Sequence, residues 1–472
     1  MLPPAWGRVH AGPRRFDLVA EGMAVRERYR PLGNSVQLDE VFDVALGAGA
    51  DFVYIDRPYV DFDYRSDLSH FYGRSFRPPP ETTERLIFAT QDRIIGISVI
   101  RPLPQHVGRT MLAPPAEEAP YVTCTATMPV HAFGFEWTVS GYPFTSQDGE
   151  YGVCAHAALW SIARYHHLRF GTDRHTTTGI IEAAGLKERP DKTARSDGMY
   201  GYDVVRAFRG IGLPALQYDI DSIPATSRGT ETADSVICRY LNSGIPVGVL
   251  TSDHVIVLIG YAEAPNGDVT YVVSDDNLGA YQRMNLVSGT TLDAWKLLVI
   301  PQPGRMHVNG EAAEARAEET FEDRVRANTG PGHLLPRWLG DELRVRTYAT
   351  PSFAYVNNLI RRGVPDAVRH HHIYAPKGNW LWITEFQDMK LAEDERVIGE
   401  IAIDATSFQY DPSPIFGNIN GWAYLWAAGE EEPSVAELAS GSPGFRSALG
   451  DRTLRPAPSP RSFTPYAGTP VQ

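Results

Sequence analysis

Hydrophobic residues along the chain fall into short strand-like runs and into longer stretches with helical spacing, so both kinds of element are predicted. Near the start, the spacing predicts a helix over Val36–Leu46. Phe52–Ile55 reads as a short strand, and Leu86–Thr90 with Ile94–Ile100 predicts a hairpin around a polar turn. Residues 1–115 are therefore predicted to form an α/β or α+β region.

The middle of the chain contains the longest helical pattern. In Cys154–Leu168, Ala158, Ile162 and Tyr165 recur at the spacing that places them on one helix face. A strand is predicted before this helix, at His131–Val139. A further helix is predicted after it at 233–241, where a Ser-Gly pair ends the apolar periodicity.

Three apolar runs then follow in close succession. Pro246–Leu250, His254–Tyr261 and Val269–Ser274 each have the length and composition of a buried strand. The turn 265–268 contains Asn-Gly, a strong signal for a hairpin between the last two runs. The sequence therefore predicts antiparallel neighbours, with the start of one strand beside the end of the next.

The remaining segments differ in composition. Glu311–Arg326 is charged and rich in alanine, which predicts an exposed helix linking domains. The C-terminal tail is rich in Pro, Ser and Thr, which is typical of disorder. The predicted organisation is a 1–115 N-terminal region, a 116–305 central domain, a 306–335 charged helical linker, a 336–450 β-rich region and a 451–472 disordered tail.

Composition and charge argue against some classes of binding protein. The 472 residues carry 44 Lys plus Arg against 57 Asp plus Glu, a net charge of −13. This excess of acid argues against a nucleic-acid binder and against an anionic membrane surface, since both need basic faces. There are three cysteines, no CxxC pair and no apolar leader, so we expect free thiols and a cytoplasmic location.

Cys154 is the first candidate for chemistry. It follows a Gly-containing loop and begins the apolar-periodic stretch CAHAALWSIARY, which places its thiol at a helix N-terminus. The unpaired N–H groups and the dipole there favour an anion, and they lower the pKa of a thiol. A small buried cysteine at a helix start is the alternative interpretation.

His254 is the candidate base. It opens the strand HVIVLIGY, and the antiparallel hairpin brings it to the same end of the sheet as Asp275 and Asp276. A carboxylate there would hold the imidazole and stabilise its cationic form. The two aspartates are not separated by this reasoning, although Asp275 lies nearer the strand. Gln147, seven residues before Cys154, is the candidate side-chain donor to an oxyanion.

The order Gln, Cys, His, Asp resembles that of the papain-like cysteine peptidases, and within them most resembles the C39-like peptidases. The matching motifs are Gly244-Ile245-Pro246-Val247, His254–Tyr261 and Asp275–Tyr281, and the resemblance covers about residues 140–300. Two features depart from that family. Ala155 stands where a glycine often follows the cysteine, and Gln147 is one residue farther from the cysteine than is usual.

The resemblance implies an α+β fold. Its papain-like core would pack the cysteine-bearing helix on an antiparallel sheet bearing His and Asp, between an N-terminal α/β region and a C-terminal β-rich region. It also implies a thiol hydrolase that cleaves an amide bond of a protein or peptide through a thioester. A catalytically inactive protein-binding module and a thiol acyltransferase or isopeptidase effector are the alternatives. No cofactor, metal, nucleic acid or membrane partner is expected, and no oligomeric state is predicted.

Overall fold

The structure is a computed structural model of the chain. It describes residues 14–32, 36–73, 75–148, 154–185, 199, 201–223, 232–251, 254–264, 268–285, 295–327, 343–361, 370, 373, 377–388, 390–391, 397–407, 412–419, 422–426 and 432–437. The predicted disordered tail, 451–472, lies outside these residues.

The described residues divide into two compact units. Unit 1 contains those within Met1–Ile220 and Pro246–Pro301, and unit 2 contains those within Asp221–Ile245 and Gln302–Arg452. The segment that ends at Ile245 therefore belongs to unit 2, although it interrupts unit 1 in the sequence.

Seven described strands of unit 1 form its first sheet. They are β1 (Arg14–Asp17), β2 (Phe52–Tyr59), β3 (Thr83–Ala89), β4 (Ile94–Ile100), β5 (Val107–Leu112), β6 (Ala126–Ala132) and β7 (Phe135–Phe144), in the spatial order β1-β2-β3-β4-β5-β7-β6. Every pairing in it is antiparallel. The predicted α/β organisation of the N-terminal region is thus wrong and α+β is right. Tight turns such as that between β3 and β4 join only antiparallel neighbours.

Residues 126–144 correct a second prediction, the single strand at His131–Val139. The chain instead reverses at Phe133-Gly134, where both residues have positive φ, 57° and 81°. This conformation is that of a two-residue hairpin turn. It makes β6 and β7 antiparallel partners, with His131 opposite Glu136.

The helices of unit 1 include the two predicted near its start and in its middle. They are α1 (Leu18–Tyr29), α2 (Val36–Gly47), α3 (Phe62–Asp67), α4 (Cys154–Phe170), α5 (Thr177–Ala183) and α6 (Gly201–Gly210). Single turns of other helix types are found at Arg30–Leu32, Leu68–Tyr72 and Ile220–Ser222. Helix α4 packs against β6 and β7 of the first sheet.

The second sheet of unit 1 carries the predicted hairpin. Its strands are β8 (Ala215–Asp219), β9 (Val247–Thr251), β10 (Val255–Glu263), β11 (Val269–Asp275), β12 (Gly279–Asn285) and β13 (Trp295–Pro301), in the order β12-β11-β10-β9-β13-β8. The pairings are antiparallel, as predicted for the two runs that became β10 and β11. Of the predicted Asn-Gly turn, residues 265–267 lie outside the described part.

Unit 2 is a sheet between helices. Its elements are α7 (Ala233–Asn242), α8 (Gly310–Ala327), β14 (Leu343–Pro351), α9 (Ser352–Arg361), β15 (Trp380–Asp388), β16 (Val397–Asp404), β17 (Pro414–Ile419), β18 (Trp422–Leu425) and β19 (Ser434–Glu437). The six described strands follow chain order across the sheet. Tyr355 and Leu359 of α9 pack with Ile383 on one face, whereas Phe321 of α8 stacks on Phe386 of the other. The β-rich prediction for this region agrees with this sheet.

The charged segment predicted as an exposed linker is a helix, α8, but it is not exposed along its length. Ala313, Ala317, Phe321 and Val325 recur every four residues and are buried. They form an apolar stripe that packs on the sheet, and Glu311 and Glu314 of the same helix form ion pairs with the buried Arg239 of α7. The interpretation as an exposed linker is therefore wrong.

Glu385 and Glu400 are carboxylates that lie inside unit 2 rather than on its surface. Both are buried, and they lie directly opposite each other on β15 and β16. Tyr348 and Gln387 donate to Glu385, and Tyr355 donates to Glu400 at 2.8 Å. These donors replace water around the carboxylates, which is what burial of a carboxylate requires.

Candidate active site

His254 lies at the end of a tight connection between β9 and β10. Its N–H donates to Thr251 Oγ1 at 3.0 Å, and its carbonyl oxygen accepts the Thr251 N–H at 2.9 Å. These two bonds fix the backbone immediately before β10. The imidazole keeps 21% of its side-chain surface exposed, so it can be reached from solvent.

Asp275 ends β11 and makes the shorter contact with the imidazole. Its Oδ1 lies 3.0 Å from His254 Nε2. The same oxygen accepts the backbone N–H of Asn277 at 2.8 Å, so the turn after β11 holds the carboxylate in place. The register of β10 and β11, with Val257 opposite Ser274, brings the start of one strand beside the end of the other.

Asp276 is also close to the imidazole but is placed differently. Its Oδ1 lies 3.7 Å from His254 Nε2, and only 5% of the residue is exposed. The net pKa of Asp276 is raised to about 7, chiefly because the carboxyl is buried and also because Asp275 is close. His254 and nearby backbone N–H groups, including that of Gln147, act in the opposite direction and lower this pKa. Gln37 of α2 donates to the carbonyl oxygen of Asp276 at 3.3 Å and so fixes this turn from another element.

Gln147 is joined to the same cluster through Asn277. Gln147 Nε2 donates to Asn277 Oδ1 at 2.8 Å, and Asn277 Nδ2 lies 3.5 Å from His254 Nε2. The loop that carries Gln147 is held by Arg101, whose Nη2 donates to the carbonyl oxygens of Ser146 and Gln147 at 3.0 and 3.2 Å.

Three of these residues were not identified from the sequence. Asn277 lies inside the motif Asp275–Tyr281, but a turn asparagine gives no sign of a side-chain contact with Gln147. Gln37 and Arg101 come from the N-terminal region and meet the site only through the tertiary structure. No local pattern in the sequence marks either of them.

Cys154 begins helix α4, as predicted. Its side chain and residues 149–153 lie outside the described part of the structure. The helix packs against β10, the strand that follows His254. His156, the second histidine near this helix start, is buried, and burial lowers its pKa to about 4 while Asp148 raises it. An imidazole that protonates so weakly is a poor base at neutral pH, so His156 does not compete with His254 for that role.

The described atoms thus bring together four of the five predicted site residues: His254, Asp275, Asp276 and Gln147. No protein-family model and no curated protein matches the sequence. Among solved structures, the chain is similar to the peptidase domain of Streptococcus ComA, which is described as a bifunctional ABC transporter involved in a quorum-sensing pathway. The two are 14% identical, the match covers 32% of this chain and 91% of that chain, and the TM-score is 0.20. A similarity at this TM-score does not indicate the function of this chain.

No helix in the described ranges is both long and apolar enough to cross a membrane.

Proposed function

We propose that unit 1 is a cysteine peptidase-like thiol hydrolase with a papain-like core, in which Cys154 is the nucleophile, His254 the base and Asp275 the residue that orients the base. The observation that carries the proposal is the 3.0 Å contact between His254 Nε2 and Asp275 Oδ1. The contact lies at the end of β11, whose neighbour β10 supports the helix that begins at Cys154.

The Asp275 contact supports a different role for each ring nitrogen of His254. An ionised carboxylate only accepts hydrogen bonds, so Nε2 must carry a hydrogen. Nδ1 is then the basic nitrogen of the neutral ring and the one that takes the thiol proton. As positive charge develops on the ring, the Asp275 carboxylate stabilises it.

Gln147 supplies a donor for the second requirement of acyl transfer. A side-chain amide carries two N–H hydrogens, and the bond to Asn277 uses one of them. The other can donate to an oxyanion, together with the backbone N–H of Cys154. Attack by the thiolate would form a thioester and release the amine, which takes its proton from His254, and water would then release the acid.

Alkylation of the cysteines tests the nucleophile without knowledge of the substrate. The full chain is treated with iodoacetamide at pH 7, and modification of each cysteine is followed by mass spectrometry. We expect Cys154 to react fastest. Cys124 is an internal control, because it is buried and burial raises its pKa to about 12, and half-buried Cys238 is the second control.

The variant His254→Ala should slow alkylation of Cys154 at least about tenfold, because the thiolate loses its cationic partner. Alkylation of Cys238 should not change. Cleavage of a diverse peptide library, read by mass spectrometry, should be lost in Cys154→Ala and in His254→Ala, with the folded state retained. Equal alkylation of Cys154 and Cys238 in the parent protein would favour an inactive binding module instead.

A further inference from the structure

His254, Asp275 and Asp276 hold three metal-binding atoms close together. The ring nitrogen and one oxygen of each carboxylate all lie within 4.8 Å of one another. The distances from His254 Nε2 are 3.0 Å to Asp275 and 3.7 Å to Asp276. A tetrahedral ion with bonds of roughly 2.0–2.2 Å separates its ligand atoms by about 3.4 Å. Both distances therefore need only small side-chain movements to accommodate an ion.

Asp276 provides a second and separate observation. Its carboxylate is buried, and no side chain that the structure describes donates a hydrogen bond to either oxygen; the backbone N–H groups of Asp276 and Gln147 lie near it, but neither meets the geometry of a full hydrogen bond. By contrast, the buried glutamates of unit 2 accept from hydroxyl and amide donors. A buried carboxylate without such donors is expensive unless a cation compensates it.

We propose that His254, Asp275 and Asp276 form a binding site for a divalent first-row transition-metal ion such as zinc or cobalt. An imidazole with two carboxylates suits these ions, whereas magnesium and calcium prefer oxygen donors throughout. The double positive charge matches two adjacent carboxylates. Two donors from outside the cluster hold the ligand residues in place. The Asn277 N–H donates to Asp275 Oδ1, and the Gln37 side chain donates to the carbonyl oxygen of Asp276.

Binding of an ion at this site would affect the proposed reaction. This effect rests on the proposed function, whereas the metal site itself does not. The ion occupies the Nε2 lone pair of His254, so the hydrogen of the neutral ring must lie on Nδ1. Nδ1 can then no longer accept the thiol proton. An ion at this site would therefore switch off thiol chemistry by changing the tautomer of the base.

Cobalt titration tests the site independently of activity. The full-length Cys154→Ala protein is used, so that the Cys154 thiol cannot be a ligand. We expect a saturable visible absorption at one Co²⁺ per chain, without thiolate-to-cobalt charge-transfer bands. Zn²⁺ should displace the cobalt and abolish the absorption.

Two variants of the Cys154→Ala protein locate the ion. Adding Asp276→Asn should weaken Co²⁺ binding more than tenfold, and adding His254→Ala should remove it. Adding Asp92→Asn, in an exposed turn, is the matched control and should leave binding unchanged. Circular dichroism of each variant without metal establishes that the variant is folded. If one of the two ligand variants does not fold, the other still tests the site.

Absence of saturable binding in the Cys154→Ala protein, or equal binding after Asp276→Asn in a folded protein, would overturn the metal site. Neither result bears on the thiol hydrolase. Conversely, a parent protein whose Cys154 stays unreactive after a chelator has removed bound metal would overturn the proposed function and leave cobalt binding as expected. The two proposals therefore fail in different measurements.

Discussion

Gln147 and His254 act on different steps of the proposed reaction, and single substitutions can separate them. Alkylation by iodoacetamide needs a thiolate but develops no oxyanion, whereas amide cleavage needs both. We therefore expect Gln147→Ala to reduce peptide cleavage by roughly 10²–10³-fold while Cys154 is alkylated at nearly the parent rate. His254→Ala should impair both reactions. A parallel loss of alkylation in Gln147→Ala would mean that Gln147 supports the thiolate rather than the oxyanion.

The two aspartates after β11 should also differ when substituted. Asp275→Asn replaces the acceptor on His254 Nε2 with an amide that can favour the wrong tautomer, so cleavage should fall by roughly 10²-fold or more. Asp276→Asn should have a smaller effect, because its oxygen lies at 3.7 Å rather than 3.0 Å from the ring. Cleavage rates of the two variants, measured in a chelating buffer, decide this. A larger loss in Asp276→Asn would reverse the assignment.

The sequence could not separate these residues, and the reason is physical. Asp275 and Asp276 are neighbours of identical chemistry, and the roles proposed for them rest on a difference of less than 1 Å in distance to one ring nitrogen. The Asn277 N–H that holds Asp275 Oδ1 belongs to a turn, and its direction depends on backbone angles that the sequence does not reveal. The pairing of His254 with an aspartate was predictable because the hairpin periodicity fixes which strand ends are neighbours.

Among the elements, helix α4 contains two buried histidines that have no role in the proposed chemistry. Neither ring nitrogen of His166 has a hydrogen-bond partner among the described residues, and burial lowers its pKa to about 3. Burial likewise lowers the pKa of His156 to about 4. In the unfolded chain a histidine has a pKa of about 6.5. Between these values the unfolded state binds more protons than the folded state.

The folded protein should therefore lose stability as the pH falls from about 6.5 towards 4, by about 1.4 kcal/mol per pH unit for each histidine that stays neutral when folded. His166→Phe should reduce the slope of the unfolding free energy against pH by the contribution of one proton, about 1.4 kcal/mol per pH unit, because phenylalanine cannot titrate. Urea unfolding at pH 7, 6 and 5 measures the slope. Exposed His131→Gln is the control and should leave the slope unchanged. An unchanged slope in His166→Phe would show that His166 is charged in the folded state.

The helices and strands were predicted correctly where the apolar periodicity is strong. They were missed where tertiary contacts, rather than local sequence, determine the structure. Helix α4 and strands β9 to β11 follow from apolar spacing alone. The β6–β7 hairpin was missed because Phe133-Gly134 is not among the usual turn pairs, although Gly134 readily takes a positive φ. The position of α8 was missed because four buried residues among many charges do not suggest a core helix.

At the scale of the molecule, the N-terminal region is built into the unit that contains the site. The predicted boundary between residues 115 and 116 falls between β5 and β6, two strands of one sheet. Val122 forms a β-bridge with Gly260 of β10, and the Tyr281 hydroxyl donates to the Leu112 carbonyl oxygen at 2.8 Å. Domain limits were hard to predict because unit 1 combines segments that are separated in the sequence.

This arrangement predicts that a chain beginning at residue 116 will not retain the proposed chemistry. It would lack β1 to β5, which leaves β7 without its β5 neighbour, and it would lack Arg101, which holds the Gln147 loop. We expect poor solubility or, in soluble material, no selective alkylation of Cys154.

Arg101→Met in the full chain tests the same coupling more gently, with Arg93→Met in an exposed turn as the control. Because Arg101 anchors only the Gln147 side of the site, this variant should lose peptide cleavage while Cys154 alkylation persists. Full cleavage by the chain beginning at residue 116 would instead show that the N-terminal strands are dispensable for the site.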